Sequence, residues 1–345
     1  MTFAWGDSFD CYAAAADAAN GYWDSGTFSS VFPTTGRFAG SQCLQFGSSA
    51  ALMTKSSGVN DAVHHLVVAF QQTVAVSGTT PGLYLQLLDG TTGQCAVVFR
   101  QDGVILLQAG TVGGTTLATY TGAFTTINTW YAFEFEIIIN NTTGRFRARK
   151  NGNTVDDFDS GAVLNTRASA NNYANKLSVG LGNTAVIDRI DDLYWRSDAS
   201  SVAWMGDIRA YTRMPASDAA VQFSRSTGAT NFSCVDEPQQ NTTTDYVFDS
   251  VPGHADLYGI AAIASTPLTT FAVTTRAYMI KSDAGTRTAA VQLKSGASTV
   301  ASPTVVLTPS NWQWAWRHDT TDPATGAAWT AAAVNTVNIG PTVIA

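Results

Sequence analysis

Glu134 and Glu136 stand two positions apart in Trp130-Tyr-Ala-Phe-Glu-Phe-Glu-Ile-Ile-Ile139. On a strand that spacing puts both carboxylates on one face. Two carboxyl groups flanking a sugar bond could act as the acid and nucleophile of glycoside hydrolysis. A second acidic group, Asp188, Asp191 and Asp192, runs into the aromatic pair Tyr194-Trp195. Carboxylate oxygens suit calcium, and flat aromatic faces suit sugar C–H groups, so Asp191, Asp192, Tyr194 and Trp195 form a candidate ligand-binding set. The competing reading of these aspartates is a salt bridge with Arg189 or a turn cap. No Asp-x-Asp-x-Asp-Gly calcium loop occurs, and the metal assignment stays unknown.

Four histidines remain. His64 and His65 are adjacent, so on a strand they point to opposite faces and do not share a metal easily. His254 and His318 read as loop residues. Nothing lines up a nucleophile, a base and an orienting group. The serine-rich loops lack a Gly-x-Ser-x-Gly elbow, and the glycines at 110–114 lack a phosphate-binding pattern. No catalytic residue is assigned. Trp312, Trp314 and Trp316 fall two apart and share one strand face. Such a stripe is core, a subunit interface or a sugar-stacking platform.

The elements that position these residues are strands. Leu83–Leu88 runs into Asp89-Gly90, Cys95–Arg100 into Asp102-Gly103, and Val104–Gln108 into Gly113-Gly114. Turn residues at near-regular spacing between apolar segments predict an antiparallel sandwich. Trp130–Ile139 and Gly144–Lys150 form the best hairpin, and Asn151-Gly152 predicts a type I′ turn because both residues tolerate positive φ. Leu177–Leu181, Ala185–Trp195 and Val202–Tyr211 supply the last strands of this part. The alanine-rich stretch Tyr12–Asn20 predicts the one helix, capped by Asp7 or Ser8 and ended by Asn20-Gly21. Met214-Pro-Ala-Ser-Asp reads as a linker. Beyond it, Leu257–Ile263, Ala272–Ile280, Ala290–Lys294, Thr304–Leu307 and Trp312–Trp316 give a second strand-rich unit. The expectation is an all-β protein of two tandem antiparallel β-sandwiches, jelly-roll-like, over 1–212 and 213–345, with one short N-terminal helix.

Composition narrows the partners. The 345 residues carry a net charge of −7, and only 13% are charged, about half the usual share. No basic stripe exists, which speaks against nucleic acid. Arg145, Arg147 and Arg149 share one strand face: either a solvated face or a patch for an acidic partner. No run of about 18 apolar residues occurs, so membrane insertion is not expected. The sequence starting Met1-Thr-Phe-Ala-Trp lacks the basic and apolar regions of a signal peptide. Asn140, Asn141, Asn231 and Asn241 open glycosylation-type motifs, read here as polar loop residues. Cys11, Cys43, Cys95 and Cys234 are widely spaced, so free thiols are the default reading and a bridge in the first domain stays open.

Several motifs carry a resemblance. Trp130-x-x-Phe-x-Phe, Gly144-Arg-Phe ending at Asn151-Gly152, and Ile190-Asp-Asp-Leu-Tyr-Trp195 resemble the concanavalin A-like, or laminin G-like, jelly-roll domain. Phe9-Asp-Cys-Tyr with Trp23 looks like the opening of this domain in phage virion proteins. Asp322-Pro-Ala-Thr-Gly-Ala-Ala-Trp-Thr330 resembles a closing segment of tailed-bacteriophage structural proteins. The resemblance implies a non-enzymatic virion protein, assembled in the host cytoplasm. Its expected place is an exposed fibre, spike, or head or tail decoration serving assembly and host attachment. Other virion proteins, a host surface glycan and further copies of the chain, a trimer by analogy, are the implied partners. The alternative is a lectin-like carbohydrate-binding module. A degenerate glycosidase is third: laminarinase-type relatives place a third carboxylate where this chain has Ile139. No cofactor is required, calcium being the one that relatives suggest.

Overall fold

The computed structural model describes residues 3–27, 35–46, 52–74, 78–183, 187–200, 203–240, 244–263 and 269–345. The Asn241 motif lies outside them. The chain divides into two compact units: residues 1–10 with 23–210, and residues 11–22 with 211–345.

The first unit contains, in chain order, β1 (Phe3–Asp7), β2 (Ser25–Thr27), β3 (Leu44–Gln45), β4 (Leu52–Asp61), β5 (Val63–Gln72), β6 (Pro81–Asp89) and β7 (Thr92–Arg100). There follow β8 (Val104–Ala109), β9 (Thr116–Tyr120), β10 (Trp130–Ile138), β11 (Arg145–Lys150), β12 (Phe158–Asp159), β13 (Ala174–Leu181) and β14 (Asp188–Asp198). One sheet runs β1-β14-β5-β10-β11-β12, with β3 also on β14; the other runs β2-β4-β13-β6-β7-β8-β9. Every pairing is antiparallel.

Alternation decides what each face holds. In β10, Phe133 and Phe135 point inward and meet Phe99 of β7 from the opposite sheet, at ring-centroid distances of 5.6 and 5.9 Å. Phe70 of β5 lies 4.4 Å from Phe99 and 4.9 Å from Phe124. This aromatic layer is the core of the sandwich. Asn151 and Gly152 have φ of 52° and 75°, the two positive values that a type I′ turn needs. The Asn151 side chain also accepts the Ala132 N–H at 3.0 Å.

The second unit carries α1 (Ala15–Ala18), β15 (Pro215–Ala220), β16 (Ser224–Arg225), β17 (Val247–Phe248), β18 (Leu257–Ile260) and β19 (Val273–Met279). It continues with β20 (Arg287–Ser295), β21 (Ser298–Ala301), β22 (Val305–Leu307), β23 (Gln313–Asp319), α2 (Ala331–Thr336) and β24 (Asn338–Val343). A six-stranded sheet, β15-β18-β24-β20-β21 with β22 on β20, is joined by the pairs β16-β17 and β19-β23. Leu293, Trp329, Val334 and Val337 form its buried centre.

The architecture is all-β, as expected, and five local readings need correction. The alanine-rich helix is a single turn, α1, whose Asp17 carboxylate accepts the Ala14 N–H at 2.7 Å. So short a helix has little stability of its own. Asp7, expected as its cap, instead accepts Phe9 N–H and Trp23 Nε1–H at 3.0 and 2.8 Å. Residues 203–210 are not a strand but an irregular strap. Pro215 opens the edge strand β15 rather than a linker, a position where a missing N–H costs nothing. His318 lies in β23, not in a loop. A second helix, α2, has no counterpart in the sequence reading.

The segment Asp322–Thr330 has a local explanation. The Asp322 carboxylate accepts Ala324 N–H at 2.9 Å, and its backbone carbonyl accepts Gly326 N–H at 2.7 Å, with Gly326 at φ 70°. Trp329 is buried and donates Nε1–H to the Asp319 carbonyl at 2.8 Å. Thr330 caps α2 by accepting Ala333 N–H at 3.1 Å. Turn, anchor and cap together close the fold of this unit.

Candidate functional site

Acids and an imidazole do converge. His65, Glu134 and Glu136 face away from the sandwich core on β5 and β10, yet all three are buried. His65 Nδ1 lies 3.4 Å from Glu134 and Nε2 lies 3.1 Å from Glu136. Arg147 Nε donates to Glu136 at 2.7 Å. Arg147 and Arg149 both pair with Asp156, at 3.4 and 2.7 Å, and Arg145 pairs with Asp159. The arginine face is thus neutralised within the unit and leaves no free basic patch for an acidic partner. Hydrogen bonds from His65 and Arg147 hold the Glu136 carboxyl below its ordinary pKa despite the burial that opposes them.

The strap seals this cluster. Met205 and Gly206 each donate a backbone N–H to Glu134 at 2.8 Å. Trp204 packs edge-on to His65 at 5.3 Å and takes the guanidinium of Arg149 over its ring at 4.2 Å. Both oxygens of Glu134 are therefore committed to the strap.

Asp191 and Asp192 sit at a bulge in β14, where Asp192 adopts φ 50°. Asp191 accepts the backbone N–H groups of Arg37 and Asp192, each at 2.8 Å. Asp192 accepts Ala210 N–H at 2.7 Å and meets the Arg37 guanidinium at 3.3 Å. The expected ionic partner was Arg189; the Arg37 guanidinium instead pairs with Asp192, Asp191 takes only the Arg37 backbone N–H, and Arg189 binds Gln45 and Gln71. Burial, and for Asp191 also its charged neighbour Asp192, raises the pKa of both carboxyls. All four oxygens face donors, so this set suits a guanidinium and backbone amides rather than calcium. Among the described residues no group of three or more His, Cys, Asp or Glu could hold a metal.

Trp195 lies inside the sandwich, fully buried, with Nε1–H donating to His64 Nδ1 at 3.2 Å. His64 Nε2 lies 2.9 Å from the Asp61 carbonyl, which fixes its neutral tautomer, and burial pushes its pKa down to about 4. Tyr194 faces the other way and packs against Gly6, where a Cβ would come within 2.6 Å of its ring. In the second unit, Trp314 donates Nε1–H to the Asp17 carbonyl at 2.8 Å, Trp316 donates to the Gly21 carbonyl at 3.0 Å, and Trp312 stacks on Tyr278 at 5.3 Å. Two rings of this stripe therefore anchor the residue 11–22 segment within that unit. The described cysteines are all free thiols.

An open depression lies on the outer face of the other sheet. Tyr84, Gln86, Thr111, Val112, Leu181 and Gly182 line a volume of about 430 Å³. Its floor exists because β6 alternates Leu83, Leu85 and Leu87 inward with Tyr84 and Gln86 outward. Tyr84 is half-buried beside Ser178 of β13, and burial raises its pKa. Beneath it Ala96, Val98, Val104 and Leu106 form a buried apolar cluster against which Tyr84 and Val112 pack. The wall is the loop after β8, tied down where Gln86 Nε2 donates to the Gly110 carbonyl at 3.1 Å and Gln108 accepts Gly113 N–H at 2.9 Å. Among the described residues that line this depression, none is charged. The sequence reading missed it, although the Leu-Tyr-Leu-Gln-Leu alternation places Tyr84 and Gln86 on the outer face.

No family model matches the chain, and no curated protein matches it. Among solved structures it is similar to the cellulose-induced protein Cip1, at 13% identity over 59% of this chain and 94% of that one, with a TM-score of 0.37. It is similar to the carbohydrate-binding module CBM66 from Bacillus subtilis, at 11% identity over 51% and 94%, TM-score 0.32. A carbohydrate esterase from the Shiga toxin-encoding bacteriophage phi24B aligns at 15% identity over 56% and 100%, TM-score 0.38.

Proposed function

We propose that this protein is a non-enzymatic glycan-binding β-sandwich protein whose ligand rests on Tyr84. The observation that carries the reading is the depression itself. It sets the Tyr84 ring and the Thr111 hydroxyl beside the apolar side chains of Val112 and Leu181, with Gln86 holding the wall. That combination matches a sugar, which offers apolar C–H faces and hydroxyl edges. Its volume falls within the ~300–1,000 Å³ of small-ligand pockets. Its described lining is uncharged, which favours a neutral sugar as ligand.

The non-enzymatic part is supported by the strap. His65, Glu134 and Glu136 have the residue types of an acid–base site, but each is buried and hydrogen-bonded into the fold. A glycan array with calcium and with chelator tests both parts. The expected result is binding to neutral glycans in either condition, reduced about tenfold by Tyr84→Ala, with no turnover of β-glucans. Blank arrays in both conditions would remove the binding reading, and turnover would remove the non-enzymatic one.

A second reading concerns the setting: an exposed virion appendage of a tailed phage, built from several copies of the chain. It is supported by the likeness of Asp322–Thr330 to a phage closing segment. Mass in solution and co-purification with particle proteins test it; a strict monomer without virion partners would count against it.

A further inference from the structure

The loop that walls the Tyr84 depression is held at its start by a long reach. Gln86 stands on β6, and β7 lies between it and the loop that follows β8. Its Nε2 nevertheless donates to the Gly110 carbonyl at 3.1 Å, and the residue is buried. Two local features of β7 make this possible. Leu87 pairs with Cys95 but Leu88 pairs with Gly93, so Gln94 is the extra residue of a bulge. The Gln94 carbonyl accepts Gly110 N–H at 2.9 Å. Gly93 leaves the path open: a Cβ there would lie 2.3 Å from both Gln86 Nε2 and the Gly110 carbonyl oxygen.

The far end of the loop is fixed by other bonds. Gln108 accepts Gly113 N–H at 2.9 Å, the Thr111 carbonyl accepts Gly114 N–H at 2.9 Å, and the Thr115 carbonyl accepts Ala109 N–H at 2.8 Å. Between these ties stand Thr111 and Val112, the loop residues that line the depression. Val112 also packs against the buried cluster beneath Tyr84. Gln86 lines the depression too, but its Nε2 is already engaged by Gly110. Gly93 does not line it. A wall that is ordered before the ligand arrives spares the cost of ordering it on binding.

We propose that Gln86 is a positioning residue which, through the gap at Gly93, presets the Thr111–Val112 wall for the sugar. This rests on the Tyr84 glycan reading. Gly93→Ala and Gln86→Met test it in the full chain. Both break the same tie, and the first alters no residue that lines the depression. The readouts are amide hydrogen exchange without ligand and affinity for neutral oligosaccharides of glucose, galactose and mannose. Exchange at Gly110 and Gly113 should quicken about fivefold in each variant, and affinity should fall about fivefold in each. The double variant should lose no more than either single one, since the two act through one tie. Gln86→Met, which keeps the length of the side chain, serves if Gly93→Ala folds poorly. Unchanged exchange, or faster exchange with unchanged affinity, would overturn the positioning role alone, the parent still binding its sugar. A parent chain that binds none of these oligosaccharides would remove the glycan reading, and the positioning role with it.

Discussion

Glu134 carries more than its own charge, since it accepts two strap N–H groups and sits beside His65. Glu134→Ala should cost about 2–4 kcal/mol, because it leaves buried donors unsatisfied, and Glu134→Gln should cost less. Chemical denaturation checks this; equal and small losses would mean that the strap holds on by other contacts. Asp188 gives a pH prediction. It is fully buried, accepting Leu83 N–H at 2.8 Å, and burial pushes its pKa from 3.8 to about 7. Between those values the folded state keeps a proton that the unfolded chain has lost, so this group's contribution to stability falls as pH rises through that window. Asp188→Asn cannot ionise. Its stability relative to the parent should therefore rise from pH 4 to pH 7, as read by melting curves, and a pH-independent difference would contradict the assignment.

At the scale of elements, the closing segment depends on an anchor and a cap. Trp329→Ala should destabilise the protein by about 3–5 kcal/mol through the cavity it leaves. Thr330→Ala should cost about 1 kcal/mol through the lost cap of α2. Calorimetry showing the two substitutions equal would argue against this division. Period-two alternation made the strands legible in the sequence, and Asn151-Gly152 announced its turn. The strap was not legible: Ala203–Ala210 carries strand-like alternation, but its N–H groups go to Glu134 and Asp192 instead of a ladder. Burial of Glu134 and Glu136 was equally hidden, since only the strap above them removes water from what reads as an outer face. Helix α2 depends on Thr330 and Trp329 more than on its own six residues.

At the scale of the whole molecule, residues 11–22 belong with residues 211–345 rather than with their neighbours in sequence. Tyr12 meets Trp314 at 6.1 Å, and Asn20 donates to the Tyr278 hydroxyl at 2.5 Å. A fragment starting at residue 211 should therefore expose Trp314 and show red-shifted emission, reversed by adding a peptide of residues 11–22. Unchanged emission would show that the segment is dispensable. Sequence reading located the change of composition near residue 212 but could not see this exchange, which depends on contacts between residues about 300 positions apart. The central claim concerns the Tyr84 face, and amide chemical-shift mapping during titration with a neutral sugar tests it most directly. The account predicts perturbations confined to Tyr84, Gln86, Thr111, Val112 and Gly182. Perturbations centred on His65, Glu134 and Glu136 would contradict it.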